Sequence, residues 1–584
     1  MRNTRMVSAL GALALGLTGL AATSNATAAP TADTADTTKT ASSAGGSTQY
    51  VVLADRGSSA KALAKRLEAK GATVTAVNEA VGMVTVASTS SDFVKQARSM
   101  KGVFGAAEEG IVGRTPDKAK DKAGVERPRM EGKTAGAPDV VKGPKGKSKN
   151  RAADPLDSKL WGMDMIKAGQ AHKVQSGDKR VTVGIMDTGV DASHPDIAPN
   201  FNHKLSRNFV TDIPDIDGPC EVESCVDPAG VDEGGHGTHV AGTVAAAKNG
   251  IGVSGVAPDV SIVNVRAGQD AGYFFLGSTV NALTYSADAG LDVVNMSFYV
   301  DPWAYNCVGG APEDNPEEAA QQDMTIEAMS RALRYANSKD VTLVGALGNA
   351  ATDLANPGSD TSSPNYPEGN EHPRTIDNAS CFDLPVEGEH VIGVSSVGPT
   401  ERKAYYSNYT TDIESGEIEI SAPGGDYRDK VGTEDFATAG NLILSSVPEN
   451  VVKAEGSVDE DGNITEAGEG WVFKDCAMVK GKQECGYYEY YQGTSMASPH
   501  AAGVAALIVS QFGSNNGHTG FGLDADTTKE ILMDSARDKA CPTPSLFDYP
   551  EIPASYNAQC VGDEDFNGFY GDGIIDALAA VSGR

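Results

Sequence analysis

The chain has 584 residues, and 48 Lys+Arg against 79 Asp+Glu give a net charge of −31. With 66 Gly, 28 Pro and 40% hydrophobic residues it is globular and loop-rich, neither collagen-like nor disordered throughout. The charge is split: residues 1–151 hold 23 Lys+Arg and 13 Asp+Glu, residues 152–584 hold 25 and 66, and so acidic a body argues against nucleic acid as a partner.

Arg2 and Arg5, an apolar run from Val7 to Ala22 and the small residues Ala26-Thr27-Ala28 read as an export signal cut after Ala28. That run is short and Gly-interrupted, and no second run reaches the ~18 apolar residues of a membrane span. A secreted, extracellular product with no stable membrane anchoring is therefore expected. Residues 29–46, rich in Ala, Thr and Ser, read as a disordered linker.

Residues 47–113 change character. Strands are predicted at Tyr50–Ala54, Val74–Val77, Val81–Val86 and Val103–Ala107, with amphipathic helices over Ser58–Lys70 and Phe93–Met100. The order β-α-β-β-α-β is that of a small ferredoxin-like α+β domain. Residues 114–151 carry 12 Lys+Arg and 5 Asp+Glu with almost no apolar pattern, a basic linker open to proteolysis. From about residue 154 to 584, β-branched runs alternate with helical segments: 181–186, 260–265, 293–296, 341–344, 391–394 and 442–446. Such alternation predicts an α/β body, a doubly wound, mostly parallel sheet with helices on both faces.

All eight cysteines lie in this body, and an even number in an exported chain argues for disulfides. Pairing in sequence order (220–225, 307–381, 476–485, 541–560) closes the shortest loops. Zinc is disfavoured because no Cys-x-x-Cys spacing is present.

Three segments carry chemistry. In Val183-Gly-Ile-Met-Asp187-Thr-Gly189 a buried-strand pattern ends in a carboxylate and a glycine turn; Asp-Thr-Gly alone also occurs in aspartic peptidases. In Gly235-His236-Gly237-Thr238-His239-Val240-Ala241-Gly242-Thr243 two histidines open an apolar helix without the His-Glu-x-x-His spacing of zinc peptidases. Small residues around them suit close packing about one placed imidazole, so His236 is read as the chemical histidine and His239 as structural. In Gly493-Thr-Ser495-Met-Ala-Ser-Pro499-His500-Ala-Ala-Gly503 a serine sits at the positive end of a helix, where its hydroxyl can attack an acyl carbon once a base removes the proton. His500, one turn on, is read as a packing residue.

Together the three segments resemble the subtilisin-like serine peptidases, the subtilase family, over residues ~155–584, in the Asp…His…Ser order at 187, 236 and 495. The resemblance implies a subtilisin-like fold and peptide-bond hydrolysis through an acyl-enzyme, with Asp187, His236 and Ser495 catalytic and no cofactor in the chemistry. Val344-Gly-Ala346-Leu347-Gly348-Asn349 resembles the family's oxyanion-hole stretch, which places Asn349 beside the Ser495 N–H. Ser297, Phe298, Tyr299, Ala346, Leu347 and Gly348 are implied to bind substrate. Residues 47–113 are similar to the family's propeptide, an intramolecular folding aid and inhibitor, so a monomeric zymogen acting on polypeptide substrates is expected, cut somewhere in 113–153. Because the chain stops just after the family's closing helix, no appended C-terminal module is expected.

The sequence also departs from the family. Tyr299-Val300 stands where the family usually has Gly-Gly, which bears on the width of the substrate groove. Stretches 212–233, 301–322, 352–388 and 449–486 look like insertions, each carrying cysteine. The first holds eight Asp+Glu and no Lys or Arg: either an acidic rim favouring Lys/Arg-bearing substrates, or a solvated loop. Asp563-x-Asp565-x-Asn567-Gly568 and Asp459-x-Asp461-x-Asn463 offer oxygen clusters, but solvated turns are preferred, and a structural Ca2+ is left open with no ligands assigned. A narrow processing peptidase for an exported precursor is the alternative to broad digestion; a non-catalytic binding protein is disfavoured because nucleophile, base and oxyanion donor are all present.

Overall fold

The computed structural model describes residues 48–109, 125–127, 153–361, 363, 372–479, 481–515 and 520–583. The export signal, the 29–46 segment and most of the basic linker lie outside the described residues.

The N-terminal unit has the expected order: β1 (Thr48–Ala54), α1 (Ala60–Glu68), β2 (Thr73–Asn78), β3 (Met83–Ser88), α2 (Phe93–Arg98) and β4 (Val103–Glu108). Its sheet runs β2-β3-β1-β4, antiparallel throughout, as a ferredoxin-like unit requires. Strand alternation sends Tyr50, Val52, Val84 and Val86 to its own helices, while Val51, Leu53, Val81, Met83 and Ala107 face the body.

The body is built on seven strands, β5 (Thr182–Met186), β6 (Arg207–Asn208), β7 (Ser261–Arg266), β8 (Val293–Met296), β9 (Thr342–Ala346), β10 (Val391–Val397) and β11 (Ile420–Pro423). Their order is β11-β10-β9-β8-β5-β7-β6, and every pair is parallel. Each residue of β5, β7 and β8 is buried, as strands covered on both faces must be. One face carries α3 (His236–Ala245) and, farther along the chain, the Thr494–Phe512 helix; the other carries α4 (Leu276–Ala289) and α5 (Pro316–Asn337). The start of α5 is set locally: Asn315 accepts from the Glu317 and Glu318 N–H groups, Glu318 returns a bond to the Asn315 N–H, and Pro316 occupies the first turn.

The N-terminal unit docks on α4 and α5. Arg331 of α5 donates to the carbonyls of Ala54 (2.9 Å) and Val81 (2.8 Å), Asn78 donates to Thr284 (2.7 Å), and the Glu109 carboxylate accepts the Gly277 N–H at the start of α4 (2.5 Å).

Two elements depart from the sequence reading. The 442–446 run does not join the parallel sheet. As β12 (Ile443–Val447) it pairs antiparallel with β14 (Lys482–Tyr491), which also pairs with β13 (Val472–Val479). The inserted 449–486 stretch supplies α6 (Glu449–Ala454), β13 and the start of β14, and the run pairs with the part of β14 beyond it, residues 487–491. Strand β11 escaped the pattern because it ends in Pro423, which a sheet tolerates at its edge. All four disulfides pair in sequence order. No helix among the described residues is long and apolar enough to cross a membrane.

Candidate active site

Parallel strands deliver their C-terminal ends to one edge of the sheet, where ligands of open α/β folds bind. Asp187 follows β5 directly, Ser297 follows β8, and Leu347-Gly348-Asn349 follows β9. Asp187 is fully buried, and its carbonyl accepts the N–H groups of Ala267 (3.0 Å) and Gly268 (3.1 Å), which pins the turn. Its Oδ1 accepts from the Thr188 N–H (2.8 Å) and stands 2.7 Å from His236 Nδ1. His236 opens α3. The next residue must be glycine, since a Cβ on Gly237 would lie 2.1 Å from the Gly189 carbonyl and 3.0 Å from Asp187 Cβ. Buried Asp232 fixes the same helix start by accepting from the N–H groups of Gly234, Gly235 and Thr238.

Ser495 lies in the first turn of α7 (Thr494–Phe512). Pro499 has no N–H to give the Ser495 carbonyl, and Ser297 Oγ donates to that carbonyl instead (3.2 Å). Ser297 in turn accepts from Asn295 Nδ2 (2.8 Å) and meets Ser498 Oγ (2.9 Å). The proline therefore ties the Ser495 turn to the end of β8. His500 is buried, its Nδ1 2.8 Å from the Met496 carbonyl, and burial pushes it down to about 4.

Asn349 is oriented by Thr494, whose N–H and hydroxyl both donate to Asn349 Oδ1 at 2.9 Å. That leaves the Asn349 amide N–H to point into the site, where it donates to a carboxylate oxygen of Glu126 (3.4 Å). The Ser495 hydroxyl donates to the same oxygen at 2.7 Å, and the other Glu126 oxygen stands 3.5 Å from His236 Nε2. Four chemistry-bearing groups thus converge, and a carboxylate from the basic linker sits between hydroxyl and imidazole.

The charges reinforce this arrangement. Burial alone would lower the His236 pKa, but the carboxylates of Asp187 and Glu126 outweigh it and hold the imidazole well above its ordinary value. Burial would raise Glu126, yet His236, the Ser495 hydroxyl and Arg127 pull it below the usual carboxylate range. His239 differs: it is fully buried, stacked on Tyr491, with Nε2 on the carbonyls of Ile443 and Glu489, and burial pushes it down to about 3.

Of the residues implied to bind substrate, Ser297 spends its hydroxyl on the Ser495 bracket while its carbonyl lies 3.5 Å from Ser495 Oγ. Phe298 stacks on Phe274, Tyr299 is half-buried, and Ala346 ends β9. Leu347 is buried in the apolar cluster with Tyr305 and Leu354, so only its backbone borders the cleft. Gly348 donates its N–H to Thr494 Oγ1 (3.0 Å). Sequence reasoning missed Glu126, Arg127 and Thr494. Thr494 lay inside a motif already singled out, whereas nothing marks Glu126 among the 5 acids and 12 bases of its linker.

The acidic 212–233 loop is turned inward in part: Asp212, Asp217, Asp227 and Asp232 are buried. Arg266 is fully buried and bonds Asp227 (2.7 Å), Asp270 (3.0 Å) and Asp212 (3.2 Å). Burial pushes Asp270 up to about 7 although Arg266 pulls the other way. Among the described residues, two acidic groups have cation-like spacing: Asp212/Glu221/Asp227/Asp270 and Asp314/Glu318/His372. Arg266 fills the first and Arg374, bonded to both Asp314 oxygens, fills the second, so neither fits a divalent ion. Asn567 does not fit the calcium reading of its loop, since its amide donates to the Lys539 and Asp563 carbonyls and its Oδ1 accepts from the Phe569 and Tyr570 N–H groups.

Comparison with known proteins shows the family and the fold. A family model described as the subtilase family matches residues 178–573. Among curated relatives, fervidolysin of Fervidobacterium pennivorans is 27% identical over 62% of this chain and 39% of its own length. A thermophilic serine proteinase of Bacillus sp. (strain AK1) is 28% identical over 66% of this chain and 64% of its own. The matched stretch is under two thirds of either relative. Among solved structures, an epidermin leader peptide processing serine protease from Staphylococcus aureus superposes with TM-score 0.57 at 18% identity, covering 92% of this chain and 98% of that one. Crystalline fervidolysin superposes with TM-score 0.51 at 20% identity, over 92% and 61%. These structures share the fold.

Proposed function

Since the chain belongs to the subtilase family, we propose that it is a secreted serine endopeptidase, made as a latent precursor, that cleaves polypeptides through an acyl-enzyme on Ser495. The observation that carries this reading is the convergence of His236, Asn349 and Ser495 on one carboxylate group, with Asp187 bonded to the far nitrogen of the same imidazole. With a substrate carbonyl in place of that group, Ser495 Oγ attacks the carbon and His236 Nε2 takes its proton, later returning it to the leaving amine. Asp187 holds the imidazole through Nδ1 and stabilises the imidazolium. Asn349, aimed by Thr494, and the Ser495 N–H receive the oxyanion.

Latency follows from Glu126. Its carboxylate accepts a hydrogen bond from the Ser495 hydroxyl, occupies the Asn349 donor and keeps His236 protonated, so the base is already spent. The 47–113 unit, as propeptide, holds the precursor through α4 and α5, and the 114–153 linker threads Glu126 into the cleft. Proteolysis of that linker would release both.

A narrower substrate range is favoured by one contact. Val300, where the family usually has glycine, is buried and donates its N–H to Leu384 of the inserted 352–388 stretch (2.8 Å), so part of the strand edge beside the cleft is already paired.

The decisive experiment is Ser495→Ala in the full chain. Casein hydrolysis should vanish and the precursor should persist uncut; turnover at the wild-type rate would end the proposal.

A further inference from the structure

The residue after Glu126 enters a built pocket. Arg127 is 5% exposed, its guanidinium pairs with the Glu455 carboxylate, and both side chains are almost wholly buried. The guanidinium carbon stands 4.4 Å over the Tyr491 ring. His239 lies parallel to that ring at 4.3 Å. His239 is held neutral by burial, so the guanidinium on the Tyr491 ring meets no second positive charge from it. The main chain around Arg127 is bound without regard to sequence: the Gln492 N–H donates to the Glu126 carbonyl (2.9 Å) and Gln492 Nε2 to the Val125 carbonyl (2.8 Å).

We propose that Glu455 and Tyr491 form a subsite selecting an arginine side chain of a bound polypeptide, and that Arg127 of the linker occupies it in the precursor. The proposal rests on reading the cleft as a peptide site. The chemistry favours arginine over lysine, because a planar guanidinium can lie on the tyrosine face while presenting N–H groups to the carboxylate edge-on, and a compact ammonium cannot do both. Substrate and linker share the track. The residue whose side chain reaches Ser495 is followed directly by the one in the pocket, so a peptide held by Gln492 in the same way places its next side chain against Glu455. When the linker leaves, the Glu455 carboxylate and the Tyr491 ring remain, and a guanidinium is the group that suits both. Glu455 immediately follows α6, within the 449–486 insertion, so the subsite belongs to a part of the chain added to the compact family pattern.

The test uses a fluorescent peptide of the chain's own sequence 123–129 and its analogue with citrulline at position 127, which keeps the shape and loses the charge. Binding is read by polarisation on the full chain carrying Ser495→Ala, Glu126→Ala and Arg127→Ala, which stops chemistry and removes both side chains that hold the linker in the cleft, so that its remaining main chain competes equally with the two peptides. The citrulline peptide should bind at least about 10-fold more weakly, as expected when one side of a buried charge pair is removed. Adding Glu455→Gln should shrink that ratio to about 2-fold or less. Equal binding of the two peptides to the parent protein would overturn the proposal, whether or not the Glu455 variant folds. Because no bond is cut, this result is independent of the peptidase reading. A wild-type chain that discriminates the peptides yet hydrolyses no polypeptide would sink that reading and keep the subsite.

Discussion

Glu126 and Ser495, 369 residues apart in the chain, meet at 2.7 Å, carboxylate oxygen to hydroxyl. One Glu126 oxygen accepts from both the Ser495 hydroxyl and the Asn349 amide, while its second oxygen faces His236 Nε2.

Replacing Glu126 by glutamine removes one of the two charges that hold His236 protonated. The imidazole should then titrate lower, and the full chain should mature faster. Histidine NMR on the Ser495→Ala background reads the first effect, and the time course of linker cleavage reads the second. An unmoved titration would show that Asp187 alone sets the imidazole.

Docking of the N-terminal unit should weaken in alkali. Burial raises Glu109 to about 7 against the opposing Gly277 and Ser278 N–H groups, so the docked state binds a proton that the released unit does not. Stability of the docked form is thus complete below the ordinary carboxylate range and lost as pH rises through about 7. Hydrogen exchange in β1 and β4 of the Ser495→Ala chain should quicken from pH 5 to pH 9, after correction for intrinsic rates. In Glu109→Gln that dependence should flatten; a wild-type profile without slope removes the argument.

Asn349→Ala should lower kcat about 10²–10³-fold with little change in KM, the cost related enzymes bear on losing one oxyanion donor. Thr494→Val, which abolishes the hydroxyl bond to Asn349 Oδ1 but keeps the N–H bond, should give a smaller loss in the same direction. Steady-state kinetics on a soluble peptide decides, and a rise in KM alone would assign Asn349 to ground-state binding.

Arg266→Leu strands Asp212, Asp227 and Asp270 around an apolar group. Breaking such a buried network by removing one partner costs about 3–5 kcal/mol, partly relieved as the carboxyls protonate. Urea unfolding at pH 7 should show a loss of that order, shrinking toward pH 5. Equal stability at both values would show that the loop acids are solvated after all.

Much of this protein is legible in the linear sequence because its signals are local. Asp187 ends a buried strand at a glycine turn, His236 and Ser495 open apolar helices, and four cysteine pairs are neighbours in order. Each depends on residues within a turn or two, so spacing alone announces it. The tertiary structure decided what lies between them. It gave Glu126 and Arg127 their places in the cleft, turned the 212–233 acids onto Arg266, set Ser297 to bracket a carbonyl that Pro499 cannot serve, and paired 443–447 antiparallel with 487–491. Those outcomes join positions tens to hundreds of residues apart. They follow from which buried charges and unpaired polar groups the folded chain brings together, and a desolvated group takes the partner that folding supplies, wherever it sits in the sequence.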